Sequence, residues 1–370
     1  MKIVIAPNSF KDSISAIEVC QIIENTIKEM DNSIEIIKIP LADGGDGTID
    51  ALHNSLGGKI RKYKTLSPKL DKNIYAPVLI LDNKSVVVEI ASSSGLNLLK
   101  PNERDPLKTG SYGTGLLIDK FIRIYDEIIL AVGGSSTVDG GMGILDAVGF
   151  KFYNNRGKIL TPIGKNLEKI HKISQPKDLN RIKGKIKILA DVQNPLLGEN
   201  GTAKVFSKQK GASKKGEEIL ARGIKHFYNI TKEITGINPD FSMAGASGGI
   251  PGFLTAWLNA KVIDGGKYII KTAGFEKKSE NADIIITGEG KIDCQTIFGK
   301  LPFQIALSSK KRGIKTIALT GSYPNDNEVN LQYFDIIYPL VTYPMELQFA
   351  IKNVKSLLKT ATRRALWHYI

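Results

Sequence analysis

Residues 128–143 read IILAVGGSSTVDGGMG, and this stretch decides the fold. Its five apolar residues are too few for a helix and end at glycine, so they predict a buried strand. Five glycines, two serines, a threonine and Asp139 are among the eleven residues that follow. Glycine permits close backbone approach, so N–H groups here can converge on an anion, helped by a helix that begins near Gly141. A tight strand-to-helix turn without a ligand is the alternative.

The first forty residues predict a parallel sheet with crossover helices. Residues 3–6 form a short apolar strand, Ser15 and Glu18 form a capping box that opens a helix, and residues 34–39 form a second strand. Cys20 lies on the apolar side of that helix and is expected to fill the core. The β-branched residues at 60–65, 74–81 and 85–90 predict a more antiparallel region.

Several predicted strands end in a loop that combines glycines with carboxylates. The acidic residues of these loops are Asp43 and Asp46, Asp139, Asp191, and Glu289 with Asp293. In an open α/β sheet such loops gather at the carboxyl ends of the strands, where ligands bind. Carboxylates there suit magnesium held against phosphate oxygens, and Lys11, Lys291 and Lys300 suit a transferring phosphoryl group. For any single aspartate, a role in a turn or helix cap is the alternative.

Length and composition are those of a two-domain globular protein. The chain has 370 residues with 42% hydrophobic and 24% charged residues, against a prior of roughly 150 residues per domain. No apolar run approaches the roughly 18 residues of a membrane span, and the first residues read as a strand that meets Pro7, not as a signal peptide. Cys20 and Cys294 are too far apart in sequence to suggest a disulfide framework or zinc site, so a cytoplasmic location is expected.

The net charge of +14 comes from lysines spread along the chain. A basic protein can bind nucleic acid, but no aromatic and basic strip of the kind that stacks bases is present. A solvated lysine-rich surface is therefore favoured, and neither nucleic acid nor a membrane is expected as a partner.

Short phosphate and hydrolase motifs do not fit. The Walker pattern fails because Leu301 follows the Gly-Lys pair and Cys294 occupies the first glycine position. Two G-x-G-x-x-G candidates end in Asp146 and Asp293 instead of glycine. Residues 245–249 match G-x-S-x-G, but no convincing strand precedes them, so the match is attributed to chance.

A series of longer stretches is more specific than any short motif. In chain order they are APNSFKDSISA (6–16), PLADGGDGTIDAL (40–52), ERDPLKTGSYGTGLLI (103–118), GGSSTVDGGMGILDAVGFKF (133–152), ADVQNPLLG (190–198), FSKQKGA (206–212), GASGGIPG (245–252) and TGEGKIDCQTIFGKLP (287–302). Through this series, most of the chain resembles the bacterial glycerate kinases of the two-domain α/β family. These transfer the γ-phosphate of ATP to D-glycerate, and this branch is associated with 2-phosphoglycerate as product.

The chain departs from the family pattern at single positions. Asn8 stands where the family commonly has Asp, so it is not given a carboxylate's role, and Asp12 stands where glycine is usual. Val138 replaces an Asn, which weakens a side-chain role there but not the backbone role of the loop. Cys294 replaces a glycine. None of these changes removes Lys11, Asp43, Asp46, Asp191, Asp293 or Lys300.

The resemblance implies two α/β domains with an active-site cleft between them. The first is an open, largely parallel doubly wound sheet built from both chain ends, residues 1–58 and 282–370. The second is a mixed-sheet α/β domain inserted in the middle, residues 59–281. The assignment of residues 100–150 stays open.

The expected chemistry is direct in-line phosphoryl transfer without a covalent enzyme intermediate. The expected catalytic residues are Asp191, Asp293, Lys11 and Lys300, with Asp191 or Asp293 accepting the proton of the C2 hydroxyl. Substrate and phosphate groups are assigned to Asp43, Gly44, Gly45, Asp46, Gly133, Gly134, Ser135, Ser136, Gly288, Glu289, Gly290 and Lys291. ATP and Mg²⁺ are the expected cofactors, with Asp46 and Asp293 as magnesium ligands.

Other functions stay open at this point. They are a kinase of a related small hydroxy acid, a glycerate kinase that forms 3-phosphoglycerate, a non-catalytic ligand-binding regulator and a nucleic-acid-binding protein. Retention of Lys300 with the carboxylates argues against a regulator. The sequence leaves the choice between monomer and homodimer open, and does not assign the loops to ATP or to glycerate.

Overall fold

The computed structural model describes residues 1–11, 13–82, 84–292, 300–322 and 331–370. Within these ranges the strands are β1 (Lys2–Ile5), β2 (Glu35–Lys38), β3 (Lys59–Leu66), β4 (Asn73–Ile80), β5 (Ser85–Glu89), β6 (Glu127–Ala131), β7 (Lys151–Tyr153), β8 (Lys172–Ser174), β9 (Ile186–Ala190), β10 (Lys261–Asp264), β11 (Ile284–Lys291), β12 (Lys315–Ser322) and β13 (Ile336–Pro339). The helices are α1 (Ala16–Met30), α2 (Thr48–Leu56), α3 (Ala91–Ser94), α4 (Tyr112–Ile122), α5 (Met142–Ala147), α6 (Leu179–Ile182), α7 (Thr202–Phe206), α8 (Lys214–Thr235), α9 (Ala246–Leu258), α10 (Gly265–Thr272), α11 (Phe275–Lys278), α12 (Leu301–Lys310), α13 (Leu347–Lys352) and α14 (Val354–Leu366).

The chain divides into two compact units. Unit 1 comprises Met1–Asp43, Asp50–Gly57 and Gly266–Ile370, and unit 2 comprises Gly44–Ile49 and Gly58–Gly265. Residues 100–150, which the sequence left unassigned, lie wholly in unit 2. This division differs from the boundaries expected from the sequence at Gly44–Ile49, which groups with unit 2, and at residues 266–281, which group with unit 1.

Unit 1 is built on a parallel sheet in the order β13-β12-β11-β1-β2. Its strands come from both ends of the chain, as predicted, and β1 lies between β11 and β2. The predicted capping box opens α1, because Ser15 accepts the Glu18 N–H and the Glu18 side chain accepts the Ser15 N–H. Cys20 on α1 is 2% exposed within the apolar core, which confirms its expected role.

Unit 2 is built on a mixed sheet in the order β10-β9-β6-β5-β4-β3. Strands β3, β4 and β5 pair antiparallel, and β5, β6, β9 and β10 pair parallel. The buried strand predicted at residues 128–132 is β6, which extends from Glu127 to Ala131. The α/β class, with one parallel sheet from the chain ends and one mixed sheet from the middle, is thus confirmed.

Helices of membrane-spanning length and hydropathy are absent from the described part of the chain.

Candidate active site

In unit 1, the loops after β1 and β2 meet the end of β11 at the carboxyl ends of the parallel strands. Residues 288–291, expected as part of a loop, continue β11 instead. The Asn8 backbone N–H, after β1, donates to the Gly288 carbonyl on β11 at 2.9 Å. The Asn8 side-chain amide donates to the Asp43 carboxylate, after β2, at 3.0 Å. Because the strands are parallel, their ends share one edge of the sheet, and this edge brings together Asp43 and the tip of β11. Asn8 keeps a polar link to Asp43 although it lacks the family's carboxylate.

Lys11 lies beside the tip of β11. A Cβ built on Gly290 would lie 3.5 Å from the Lys11 backbone nitrogen. Glu289, between Gly288 and Gly290, is only 8% exposed, whereas Lys11 and Lys291 are exposed. Lys300 is half-buried and directly precedes α12. The predicted residue Asp293 lies outside the described residues.

In unit 2, the segment Gly44–Ile49 lies across the carboxyl ends of β6 and β9. The Gly133 N–H donates to the Gly44 carbonyl at 3.0 Å, and a Cβ on Gly133 would lie 2.5 Å from the Gly45 Cα. Gly44 has a φ of +101°, and a Cβ there would lie 3.0 Å from the Leu189 carbonyl oxygen. Side chains at these glycines would push the backbones apart, so the close approach explains why this short segment groups with unit 2.

Two carboxylates of unit 2 that were predicted to bind ligands, Asp46 and Asp191, are exposed. Asp46 accepts a hydrogen bond from the Asn97 amide at 3.4 Å, and Asp191 directly follows β9. Asp264 ends the neighbouring strand β10, where it pairs in register with Ala190. Sequence reasoning missed Asp264, although an acid before two glycines at a strand end is the pattern used for the other loops.

Glu89 is a second acidic residue that sequence reasoning missed. It ends β5, is 5% exposed, and accepts the Ile49 N–H at 2.6 Å. That N–H belongs to the first turn of α2, where a negative charge is favoured by the helix dipole. Glu89 therefore helps to hold the start of α2 and the segment that precedes it.

Asp139 occupies the helix start that was expected to attract a ligand anion. Its carboxylate accepts the N–H groups of Gly141 at 3.1 Å and Gly143 at 3.2 Å. It also accepts the N–H and hydroxyl of Ser111 at 2.7 and 2.8 Å. Burial raises the pKa of the Asp139 carboxyl, and these donors oppose that effect. The N–H groups of Gly141 and Gly143, at the helix start that was expected to help hold an anion, are therefore occupied by the chain's own carboxylate.

In the first half of the loop, residues 133–137, only the two glycines are accessible to solvent. Gly133 is half-buried and Gly134 is exposed with a φ of +78°. Ser136 is held by Ser94, whose carbonyl accepts both its N–H and its hydroxyl at 2.9 Å. The predicted binding residues Gly133, Gly134, Ser135 and Ser136 are thus consecutive, but only the glycine pair lies at the surface.

Lys210 is a buried cation next to this loop that sequence reasoning missed. Its ammonium donates to the Ser135 hydroxyl at 2.9 Å and to the Thr137 carbonyl at 2.7 Å, and the residue is 3% exposed. Burial lowers the pKa of Lys210 to about 7, partly offset by the charge of Asp139. Lys210 lies in the FSKQKGA stretch, which was noted for its resemblance to the family, but a lysine in a lysine-rich segment is expected to be solvated at the surface.

The G-x-S-x-G stretch supports the same loop. Ser247, Gly248 and Gly249 all have positive φ, and a Cβ on Gly248 would lie 2.3 Å from the Thr137 carbonyl oxygen. The Ser247 hydroxyl is buried and has no hydrogen-bond partner among the described residues.

A ready-made metal centre of three or more histidine, cysteine or acidic residues is absent from the described part of the chain. Magnesium in phosphoryl transfer usually takes one or two carboxylates and completes its shell with water and phosphate oxygens. Asp46, an exposed carboxylate on a glycine loop, fits that kind of ligand.

Comparison with known proteins identifies the relatives of this chain. Residues 3–369 match the model of the glycerate kinase family. The chain is 37% identical to the glycerate kinase of Halalkalibacterium halodurans, over 98% of this chain and 96% of that protein. It is 34% identical to the glycerate 2-kinase of Escherichia coli K12, over 98% and 96% of the two chains. A crystal structure of a Salmonella typhimurium LT2 protein assigned as glycerate kinase 2 has a TM-score of 0.80 and 33% identity, covering 100% of this chain and 98% of that one.

Proposed function

The chain belongs to the glycerate kinase family, and from this premise we propose that it transfers the γ-phosphate of ATP to the C2 hydroxyl of D-glycerate. The product is 2-phosphoglycerate. The observation that carries the proposal is the unbroken family match over residues 3–369. The choice of C2 over C3 is supported by a relative named glycerate 2-kinase that aligns with 98% of the chain.

The transfer is a direct in-line displacement in which a carboxylate takes the proton of the attacking hydroxyl. Asp191 and Asp293 are the proposed alternatives for this base. Asp191 is supported by its exposed position directly after β9, next to the strand that ends in Asp264. A base at the end of a central strand is held on a rigid element, which favours productive geometry.

The lysines of unit 1 stabilise the negative charge of the phosphoryl group. Lys11 is supported in this role because it is exposed and its backbone lies beside Gly290 at the tip of β11. Lys300 is supported by its place directly before α12. Fixed cations lower the barrier when they are aimed at charge that develops in the transition state.

Substrate binding is assigned to the glycine loops of both units. Asp43 and Asp46 would bind glycerate hydroxyls or magnesium. The exposed Gly134 would offer its backbone N–H group to a carboxylate or phosphate, whereas the Gly133 N–H already donates to the Gly44 carbonyl. Magnesium, held by Asp46 and Asp293, would neutralise charge on the phosphate oxygens of ATP. The corresponding residues of unit 1 are Gly288, Glu289, Gly290 and Lys291, which form the end of β11.

We place this enzyme in the cytoplasm, as a monomer or homodimer that does not use nucleic acid as a partner. Part of its lysine excess is paired on the surface of unit 1. Lys355 contacts Glu18 at 3.1 Å and Lys359 contacts Glu29 at 2.8 Å. A basic surface that is interspersed with acids favours solubility over binding of a polyanion.

One assay tests the proposal. Purified protein is incubated with ATP, magnesium and D-glycerate, and phosphorus NMR follows the products, with a control that lacks glycerate. We expect ADP and a phosphorus signal coupled to the C2 proton. A signal coupled to the C3 protons would overturn the regiochemistry, transfer only to another hydroxy acid would overturn the substrate, and unchanged ATP would overturn the activity.

A further inference from the structure

The position of Lys210 is fixed by a turn that depends on glycine. The Lys210 N–H donates to the Ser207 carbonyl at 3.1 Å, and the Ala212 N–H donates to the same carbonyl at 3.0 Å. Gly211 has a φ of +95°, and a Cβ there would lie 2.2 Å from the Arg104 carbonyl oxygen. The turn therefore packs tightly against the neighbouring segment and directs the Lys210 side chain into the interior.

The Lys210 ammonium holds the loop on both sides of Ser136. It donates to the Ser135 hydroxyl and to the Thr137 carbonyl, at 2.9 and 2.7 Å. Ser136 itself is held by Ser94, and its carbonyl accepts the Thr109 hydroxyl at 2.8 Å. Three consecutive residues are thus fixed by hydrogen bonds to separate segments, and the exposed Gly134 directly precedes this fixed part.

The Ser135 hydroxyl and the Thr137 carbonyl can accept hydrogen bonds from Lys210 in its neutral form as well as in its charged form. An ammonium has three N–H donors, and a neutral amine keeps two, which equals the number of hydrogen bonds observed here. Asp139 is the ionisable group whose charge acts on Lys210. Hydrogen bonds of this kind therefore persist whether or not the side chain is protonated, whereas an attraction to a bound anion would require the charge.

We propose that Lys210 is a positioning residue, whose hydrogen bonds to Ser135 and Thr137 hold the loop so that the exposed Gly134 can bind an anionic group of a substrate. That group is the carboxylate of the acceptor or a phosphate of the nucleotide. The inference rests on the proposed function. It makes Lys210 act through the loop without touching the substrate.

The test compares three substitutions with the wild type. K210M replaces the lysine by an apolar side chain of similar length that has no hydrogen-bond donor, and K210Q keeps an N–H₂ donor group. K208M is the control, because it alters an exposed lysine of the same turn. We expect K210M to raise the KM for one substrate about tenfold, which is about 1.4 kcal/mol of binding free energy, because the loop loses two hydrogen bonds from a buried donor. We expect less than about a threefold change in kcat, because the lysine does not act on the reacting atoms. K210Q should recover part of the effect, and K208M should behave like the wild type.

The two substrates distinguish the two sources of the anion. A raised KM for D-glycerate alone assigns the loop to the carboxylate, and a raised KM for ATP alone assigns it to phosphate. A lower kcat in K210M with both KM values unchanged would overturn the proposal, because it would indicate only that a smaller fraction of the variant is folded. If K210M does not fold, S135A removes one acceptor and leaves the buried lysine intact, and an unchanged KM there would also overturn it.

Two further readouts separate this inference from the proposed function. Hydrogen exchange of peptides that cover residues 133–137 should be faster in K210M than in the wild type or K208M, and this measurement needs no turnover. The wild-type kcat/KM divided by that of K210Q should stay constant from about pH 6 to about pH 9 if Lys210 acts through its hydrogen bonds and not through its charge. Unchanged exchange, or a ratio that falls as pH rises through the Lys210 pKa of about 7, would overturn the positioning role.

Discussion

Asp139 and Lys210 show how buried ionisable side chains can organise a glycine loop. Asp139 accepts N–H groups at the helix start, while Lys210 donates to the loop just before it. Burying either charge without partners would cost several kcal/mol, so each is stable only because the loop supplies the complementary groups. The loop and its two ionisable residues therefore depend on one another at the level of single hydrogen bonds.

The depressed pKa of Lys210 makes stability depend on pH in a defined direction. In the unfolded chain the pKa is near its usual 10.5, and in the folded protein burial lowers it to about 7. Between these values the unfolded chain binds the proton and the folded protein does not, so the contribution of Lys210 to stability rises with pH. We expect the difference in unfolding temperature between wild type and K210M to move in favour of the wild type from about pH 6 to about pH 9.

Calorimetry of both proteins at the two pH values measures this difference. K208M is the control, because Lys208 is exposed and its difference from the wild type should not vary with pH. A wild-type-to-K210M difference that is the same at both values would show that the Lys210 pKa is not lowered.

At the scale of elements, the decisive contact joins two glycine loops through their backbones. Gly133 approaches Gly45 so closely that a Cβ on Gly133 would lie 2.5 Å from the Gly45 Cα. Sequence patterns predicted both loops correctly at strand ends, because apolar runs followed by glycine and acid are local signals. They could not predict that Gly44–Ile49 groups with β6 and β9, because that contact joins residues far apart in sequence.

Substitution of Gly133 tests this contact. In G133A the new methyl group would lie 2.5 Å from the Gly45 Cα, so one backbone must move. We expect a loss of stability of about 1–3 kcal/mol, typical of overpacking. We also expect kcat/KM to fall by about a hundredfold, since small displacements of binding groups have effects of that size.

The matched control is G157A, in a surface turn of unit 2. Gly157 has a φ of +73° and open space around its Cβ position, so alanine there adds backbone strain without a clash. It should lower stability by about 1 kcal/mol and leave kcat/KM unchanged. Denaturant unfolding and steady-state kinetics measure both variants, and wild-type kinetics in G133A would contradict the tight approach of the loops.

At the scale of the whole molecule, the sequence predicted the class of fold better than the details of the site. The strand–helix–strand start and the capping box at Ser15 specify unit 1 by local patterns that the structure confirms. Glu89 and Lys210 were missed because their significance comes from burial, which is not visible along a single stretch of chain. Asp264 carried a visible signal, the acid before two glycines, but its register beside Ala190 is a property of the sheet.

The buried thiol of Cys20 can report the opening of the core of unit 1. It lies in the core between α1 and the parallel sheet, and burial raises its pKa to about 12, so the reactive thiolate is almost absent in the folded protein. In a C294A chain, Cys20 is the remaining thiol. We expect iodoacetamide to alkylate it only while this core is open, so the alkylation rate followed by mass spectrometry would report the fraction of the protein whose core is open. Alkylation at the rate of a free cysteine peptide under native conditions would contradict this expectation.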